Sequence, residues 1–302
     1  MDRRSFVKES FAATIAFSAL RKTAFFDGWT SDVVPYDLVA VKGGEPGAMF
    51  DSGIAVLGGM KAFVRKGDKV VIKPNIGWDV TPERGADTNP KLIAKIVGHC
   101  LDAGAKEVSV VDHPCDEWHR CYTNSGIESA AKDVGAKVIP GASESYYQTV
   151  NIPEGKTLKS VKEHEVILDS DVFINVPILK CHSGTRLTAA MKNLMGNVWD
   201  RESWHRTGVE QCIADFATYR KPDLNILDAY YVMKQNGPRG VSADDVVLMK
   251  AQIISADIVA TDVAGAKLFG IDPGTVEHIK IASEMKIGKS NLEQLSIKRI
   301  SL

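Results

Sequence analysis

The sequence predicts an α/β protein whose mainly parallel sheet carries helices on both faces. Two observations lead to this prediction. Several short segments are apolar along nearly their whole length, as in residues 172–179, and strands buried on both faces have this composition. These segments alternate with helical patterns at spacings that suit βαβ units. We therefore expect a Rossmann-like three-layer architecture.

The expected strands are short aliphatic runs, and several end at a residue that stops the ladder. Pro74 stops the second strand, because proline has no N–H to continue the pairing. The expected strands are residues 37–42, 69–75, 106–111, 136–139, 172–179, 223–227 and 246–255. Residues 143–165 show weak alternation and many polar residues, which indicates an insertion or a hairpin.

The expected helices show apolar residues at helical spacing. Pro90 suits the first helical position, and Gly104 and Gly270 suit helix ends. The expected helices are residues 52–63, 90–103, 125–134, 187–195, 209–219 and 256–269. Residues 115–122 and 199–207 are expected to be loops. The tail after Glu277 is expected to add a helix and a short strand.

The first 26 residues have the features of an export signal. Arg3 and Arg4 are followed by Phe6 and Lys8, and the apolar stretch 11–20 is too short to span a bilayer. We expect a twin-arginine-type signal at residues 1–26, a single α/β domain at residues 33–302, and export by the twin-arginine machinery. A basic amphipathic helix is the alternative. Without an A-x-A cleavage site, the exported protein is expected to be periplasmic or tethered to the membrane by an uncleaved signal.

The composition excludes some classes of partner. The 302 residues are 44% hydrophobic and 25% charged, with a net charge of -1, so no basic excess favours nucleic acid. Beyond the signal segment, no apolar run reaches the length of a membrane span. None of the five cysteines forms a C-x-x-C pair, which disfavours an iron–sulfur or structural zinc motif.

Two cysteines leave three states open. Cys115 and Cys121 lie close to His113 and His119, so this loop is a candidate metal site. After export the two thiols could form a disulfide instead, and two unpaired thiols are the third possibility. Cys181 is a candidate nucleophile, but neighbours on a strand point to opposite faces, and we expect Cys181 to pack inward.

Polar residues follow four of the apolar strands at the point where each strand ends. In a parallel sheet such ends share one edge, where ligands bind. We therefore expect a shared cleft of mixed charge, although polar residues are also common wherever strands meet solvent. The residues at the four ends are Lys73 and Asn75, Asp112 and His113, Lys180 and His182, and Asp228.

These residue types suggest roles in the expected cleft. Lysines near a helix start suit a phosphate or carboxylate, so the expected substrate-binding residues are Lys73, Asn75, Lys192 and Asn193. The expected catalytic residues are His182, Lys180 and Asp112, with His182 as the acid and base. Nitrogen and oxygen donors could also hold a divalent metal, the candidate cofactor. The expected metal ligands are His182, His205, Asp112 and Asp262.

Eight segments in order resemble the family of the domain of unknown function 362. They are V-I-K-P-N (71–75), G-A-D-T-N-P (85–90), V-V-D-H-P (110–114), I-N-V-P-I-L-K-C-H (174–182), T-A-A-M-K-N-L-M-G (188–196), N-I-L-D-A (225–229), N-G-P-R-G (236–240) and S-A-D-I-V-A-T-D (255–262). The resemblance implies that Lys73, Asn75, Asp112, Lys180, His182, Lys192, Asn193 and Asp262 are recurrent positions. It also implies an iron–sulfur segment in many relatives, and this chain lacks the cysteines for one.

Three functions agree with these observations. The first is an exported enzyme that acts on a small anionic substrate, with Lys180 and Lys192 as an anion clamp and with possible help from a metal. The second is a protein that binds a metal, cofactor or anion and passes it on without turnover. The third is a redox protein that works through Cys115 and Cys121.

Overall fold

The computed structural model describes residues 35–302, so the expected signal at residues 1–26 lies outside the described residues. The strands of the described residues form a large sheet and a separate two-stranded sheet. They are β1 (Leu38–Lys42), β2 (Lys69–Pro74), β3 (Glu107–Asp112), β4 (Lys137–Pro140), β5 (Tyr147–Asn151), β6 (Ser160–His164), β7 (Val172–Val176), β8 (Ile178–His182), β9 (Arg186–Thr188), β10 (Leu224–Met233), β11 (Val246–Ser255) and β12 (Ile297–Ser301).

The helices lie between these strands along the chain. They are α1 (Pro46–Ala55), α2 (Pro90–Asp102), α3 (Trp118–Asn124), α4 (Ile127–Asp133), α5 (Glu165–Leu168), α6 (Ala190–Asn193), α7 (Glu202–Thr207), α8 (Val209–Tyr219), α9 (Ile258–Phe269) and α10 (Glu277–Glu284). None of the helices in the described range is long and apolar enough to cross a membrane.

The large sheet runs in the order β12-β1-β11-β10-β7-β2-β3-β4. Strand β11 is antiparallel to both of its neighbours, β1 and β10, whereas the other adjacent pairs in this order are parallel. Strand β8 continues beside β10 and pairs with β9 in a short antiparallel ladder. The expected α/β fold with a mainly parallel sheet is therefore confirmed.

Each face of the sheet is covered by its own apolar core. Along β7, Val172 and Ile174 face one core and Phe173 faces the other, as expected for a strand that is buried on both faces. Helices α1 to α4 pack on the side of Val172, and helices α8 to α10 pack on the side of Phe173. The alternation of side chains along each strand thus places helices on both faces.

Three expected boundaries were wrong. The expected strand 172–179 divides at Pro177 into β7 and β8, because proline cannot donate to the ladder. The expected helix 187–195 is only the four-residue α6 and a 3₁₀ turn, since Leu187 and Thr188 pair with β8 instead. The expected helix 52–63 is displaced to Pro46–Ala55, because Pro46 starts it at the first helical position.

Two expected loops contain helices. Residues 115–122 include most of α3, whose start is capped by the Glu117 side chain accepting from the N–H groups of His119 and Arg120. Residues 199–207 include α7; Arg201, just before this helix, and His205, within it, lie at the edge of the sheet. The segment 143–165 contains the hairpin of β5 and β6. The described residues fall in one unit, Val34–Leu302, and the expected limits of the domain stay a prediction.

Candidate functional site

A cavity of about 200 Å³ opens at the carboxyl ends of β2, β3 and β8. We call it the strand-end cleft. It brings together eight of the nine expected site residues and leaves out Asp262. The eight are Lys73, Asn75, Asp112, Lys180, His182, Lys192, Asn193 and His205. Its lining also contains Arg201 and a single carboxylate, so cationic side chains predominate in it.

Lys73 and Asp112 form a buried ion pair at one side of the cleft. Lys73 Nζ lies 2.7 Å from Asp112 Oδ1 and donates to the Pro74 carbonyl at 2.7 Å. Burial lowers the pKa of Lys73, and the charge of Asp112 opposes that shift. Asp112 also accepts from the N–H groups of Ile76 and His113, at 2.7 and 2.9 Å. This geometry makes Asp112 a counter-ion of Lys73, and its expected catalytic role stays a prediction.

Gly196 closes over this ion pair. A Cβ at that position would collide with Asp112 Oδ1 and would lie 2.8 Å from Lys73 Cε. Both of these atoms are buried, so they have little room to move aside. Glycine is therefore the residue that fits where the 3₁₀ turn Leu194–Asn197 crosses the ends of β2 and β3.

Lys180 is fixed at the base of the cleft. Its ammonium donates to the Ala86 carbonyl and reaches Asn75 Oδ1 at 3.5 Å. Burial lowers the pKa of Lys180, and the nearby carboxylate of Asp87 opposes that shift. Burial raises the pKa of Asp87 in turn, although this side chain accepts from the Gly77 and Trp78 N–H groups at 2.7 and 3.1 Å. The two buried groups therefore favour each other's charged form.

Lys192 and Arg201 bring two further cations to the cleft. Lys192 is half-buried, and its Nζ lies 3.0 Å from Met195 Sδ. Burial lowers the pKa of Lys192 to about 8; Cys115 opposes this shift, and the charges of Arg201 and Lys180 contribute to it. The Arg201 guanidinium donates to the carbonyls of His113 and Pro114. Sequence patterns missed Arg201, because residues 199–207 carry only the signal of a polar, aromatic loop.

His182 presents one defined nitrogen for donation. Its Nδ1 accepts from the Gly184 N–H at 3.0 Å, so the neutral ring carries its proton on Nε2. Burial lowers the pKa of His182 to about 3, with Lys192 and Lys180 adding to the shift. At neutral pH the ring is therefore a neutral N–H donor. This state does not fit the expected role of His182 as an acid and base that cycles through its protonated form.

The four expected metal ligands do not form a common site. Asp262 lies outside the cleft, where its carboxylate accepts from the N–H groups of Ala190 and Met191 at the start of α6. Burial raises the pKa of Asp262 to about 6. Asp112 is occupied by Lys73, and His205 is exposed. Across residues 35–302, no three His, Cys, Asp or Glu side chains come together as a metal site.

One other expectation, on Asp228, needs correction, whereas the two cysteines are in one of the three states left open. Asp228 does not line the cleft; it lies within β10 and accepts from the N–H groups of Asn89 and Tyr230, at 2.8 and 2.9 Å. Only three of the four expected strand ends therefore reach the cleft. Cys115 is an exposed free thiol in the cleft lining and Cys121 is a buried free thiol. The structure thus shows these two as separate thiols.

A chain of amide hydrogen bonds runs inward from the cleft. Asn75 donates to Asn193 at 3.2 Å, Asn193 donates to Asn175 at 2.8 Å, and Asn175 donates to Asn225 at 3.0 Å. Asn225 then donates to the Ser255 carbonyl at 3.4 Å. These links join the end of β2 to α6, β7, β10 and β11, so they fix α6 against the sheet. Sequence patterns gave no signal for Asn175 or Asn225, because a single amide within an otherwise apolar strand does not reveal its hydrogen-bond partner.

Thr188 adds an unpaired hydroxyl to the same cleft. Its Oγ1 is buried and has no hydrogen-bond partner among the described residues. Buried hydroxyls are normally hydrogen-bonded, so this one is available to a molecule in the cleft. Trp78 forms another part of the wall, with the Lys180 ammonium 6.0 Å from its ring centroid.

The family of this sequence follows from a match to a known domain. The sequence model of the domain of unknown function DUF362 matches residues 70–267. The chain belongs to the DUF362 family. The DUF362 match begins in β2 and ends in α9, and it includes every residue that lines the strand-end cleft.

The proteins similar to this DUF362 chain include one relative by sequence and two solved structures. The thylakoid-associated protein sll1697 of Synechocystis sp. is 26% identical over 240 residues, which are 77% of this chain and 72% of that protein. A Thermotoga maritima protein aligns with a TM-score of 0.44 and 12% identity over 80% of this chain and 60% of its own. The lactate racemase apoprotein of Thermoanaerobacterium thermosaccharolyticum aligns with a TM-score of 0.40 and 10% identity, over 80% and 58%.

The two solved structures are longer than the part that this chain matches. The chain spans about three-fifths of the length of each. Scores at this level carry no inference about the activity of this DUF362 chain.

Proposed function

We propose that the chain is an enzyme that acts on a small anionic molecule held in the strand-end cleft. One observation carries this proposal: Lys73, Lys180, Lys192 and Arg201 line one small cavity with a single carboxylate, Asp112. Because Asp112 is paired with Lys73 and the Asp87 carboxylate lies near Lys180, the excess of positive charge comes from Lys192 and Arg201. Such an excess in a half-buried cavity attracts a carboxylate, sulfate or phosphate group.

The protonation states of Lys192 and His182 favour catalysis over binding without turnover. Burial lowers the pKa of Lys192 to about 8, and the His182 ring is held as a neutral Nε2–H donor. Groups of this kind can exchange a proton or polarise an oxygen at neutral pH. The volume of about 200 Å³ is below the range of pockets for drug-sized ligands and suits a molecule of a few heavy atoms. Metal assistance is not part of the proposal, since the expected ligands are dispersed or occupied.

The experiment measures binding of sulfate and oxalate to the full chain by thermal shift and calorimetry. Lys180→Met removes one cation of the cleft, and Lys61→Met removes an exposed lysine as the matched control. We expect Lys180→Met to lower the affinity for both anions by about tenfold to a hundredfold, as for the loss of a charge-assisted hydrogen bond. Lys61→Met should leave binding unchanged. Equal affinity in the two variants, or no binding to the parent chain, would overturn the proposal.

Export is proposed on the sequence alone. We propose that residues 1–26 direct the chain through the twin-arginine machinery to the periplasm, where it is released or stays tethered by that segment. The support is the pair Arg3 and Arg4 followed by Phe6 and Lys8. Replacing both arginines by lysine should keep the protein in the cytoplasm, as measured by cell fractionation. Unchanged fractionation would reject this route.

A further inference from the structure

The four cations of the strand-end cleft differ in what they contact. Lys73 pairs with Asp112, Lys180 donates to the Ala86 carbonyl, and Arg201 donates to two carbonyls. Within residues 35–302, the one hydrogen-bond contact of Lys192 Nζ is with the Met195 thioether. A thioether is a weak acceptor, whereas an ammonium ion has three N–H groups to satisfy. Lys192 is therefore the cation that its surroundings hold least and the amine that is most open to reaction.

We propose that Lys192 is a nucleophile that forms an imine with the carbonyl group of a small 2-oxo carboxylate. This inference rests on the proposed function, because Lys180 and Arg201 would hold the carboxylate. The ketone beside that carboxylate would then face Lys192. An anion without a carbonyl group could occupy the same cleft but could not react.

Imine formation needs no reagent other than the Lys192 amine and the 2-oxo carboxylate. The lone pair of the Lys192 amine attacks the carbonyl carbon, and the carbonyl oxygen leaves as water. Both hydrogens of that water derive from the amine, and a carbon–nitrogen double bond replaces the carbon–oxygen double bond. The unpaired Thr188 hydroxyl and the Nε2–H of His182 line the same cleft and supply donors for the carbonyl oxygen as its charge grows.

The lowered pKa of Lys192 also supports the proposed reaction. Only a neutral amine attacks a carbonyl. In proteins, burial and neighbouring cations lower the pKa of a lysine and so increase the fraction of neutral amine. When an amine's pKa falls from 10.5 to about 8, its unprotonated fraction at neutral pH rises by roughly two orders of magnitude. Met195 Sδ places no charge beside the amine that would restore its proton.

The experiment traps the imine on the full chain. The protein is incubated with pyruvate and sodium borohydride, and the modified lysines are identified by peptide mass mapping. We expect modification of Lys192 on the order of a hundredfold above the exposed control Lys61, in line with the difference in neutral amine. Lys192→Arg should remove the adduct, as should excess sulfate. Acetone, which has the ketone without the carboxylate, should label Lys192 far less than pyruvate.

The outcomes separate this inference from the proposed function. Pyruvate that binds, as seen by thermal shift, but labels Lys192 no more than Lys61 overturns the inference and leaves the anion site intact. An adduct on Lys180 instead of Lys192 also overturns it. Failure of sulfate, oxalate and pyruvate to bind at all overturns the proposed function. Labelling of the parent chain does not depend on the folding of a variant.

Discussion

Lys192 is a residue of the cleft whose charge should respond to pH near neutrality. Its pKa is lowered to about 8 in the free protein, and a bound anion raises that pKa again. Binding therefore takes up a proton once the pH exceeds about 8. The anion affinity is therefore highest at lower pH, where Lys192 is protonated, and it decreases as the pH rises.

We predict that sulfate affinity is constant below about pH 7 and falls by up to about tenfold per pH unit above pH 8. Calorimetry between pH 6 and 9.5 measures this, because sulfate keeps its charge over that range. Lys192→Arg is the matched variant: arginine stays charged, so its profile should lose the part of the fall that Lys192 causes and keep the part from Lys180, whose pKa burial also lowers to about 8. An unchanged profile in this variant would mean that another group titrates.

Much of the site could be predicted from residue types at the ends of strands. Lys73, Asn75, Lys180 and His182 stand directly at strand ends, and the geometry of a parallel sheet brings such positions together. Arg201 and Thr188 could not be predicted in this way. Arg201 precedes α7, a short helix without a clear start signal. Thr188 became a site residue only because β9 turns back along β8.

At the scale of elements, the short helix α6 is the part of the site that depends most on its neighbours. Four residues are too few for a helix to be stable alone. Asp262 of α9 accepts from the first N–H groups of α6, and Asn193 ties its end to the amide chain. Asp262 thus acts on the cleft through the position of α6, without lining the cleft itself.

We predict that Asp262→Ala lowers the free energy of unfolding by about 2 to 5 kcal/mol, since it leaves two buried N–H groups unpaired. It should also weaken sulfate binding, because α6 carries Lys192. Urea denaturation and calorimetry measure the two effects. Asp272→Ala is the control: Asp272 caps an exposed 3₁₀ turn, and its loss should cost about 1 kcal/mol without changing binding. Normal sulfate affinity in Asp262→Ala would show that α6 keeps its place without Asp262.

Elements with a strong apolar period were predicted well, and those held by tertiary contacts were not. The helices α2 and α8 agree closely with their patterns, because each presents a continuous apolar stripe to the sheet. In contrast, residues 187–195 have a helical stripe that the pairing of β9 with β8 overrides. The antiparallel direction of β11 was also beyond the sequence, since a strand buried on both faces has the same composition in either direction.

At the scale of the whole molecule, the sheet extends beyond the residues that match DUF362. Strand β1 lies between β11 and β12, and all of β1, α1 and β12 fall outside residues 70–267. Val39, Val41 and Phe50 from these elements are buried in the core on the α1 side. The matched region therefore contains the cleft but not the edge that completes the sheet.

We predict that residues 70–267 expressed alone aggregate or lose fixed tertiary structure, whereas residues 35–302 fold. Without β1, the backbone edge of β11 and the apolar surface around Ile254 would be exposed to solvent. Near-UV circular dichroism and size-exclusion chromatography compare the two fragments. A cooperative thermal transition of the shorter fragment at the temperature of the longer one would contradict this prediction.

The amide chain has a single direction, and that direction sets the local field at the cleft. From Lys180 Nζ to Asn75, Asn193, Asn175 and Asn225, every group donates to the next, and the last donates to the Ser255 carbonyl. The amide dipoles therefore add, with their oxygen ends toward Lys180, and reversing one amide would require reversing all four. The Ser255 carbonyl on β11, on the far side of β10, thus fixes the orientation of all four amides. Their aligned oxygen ends stabilise the charge of Lys180 at the anion site.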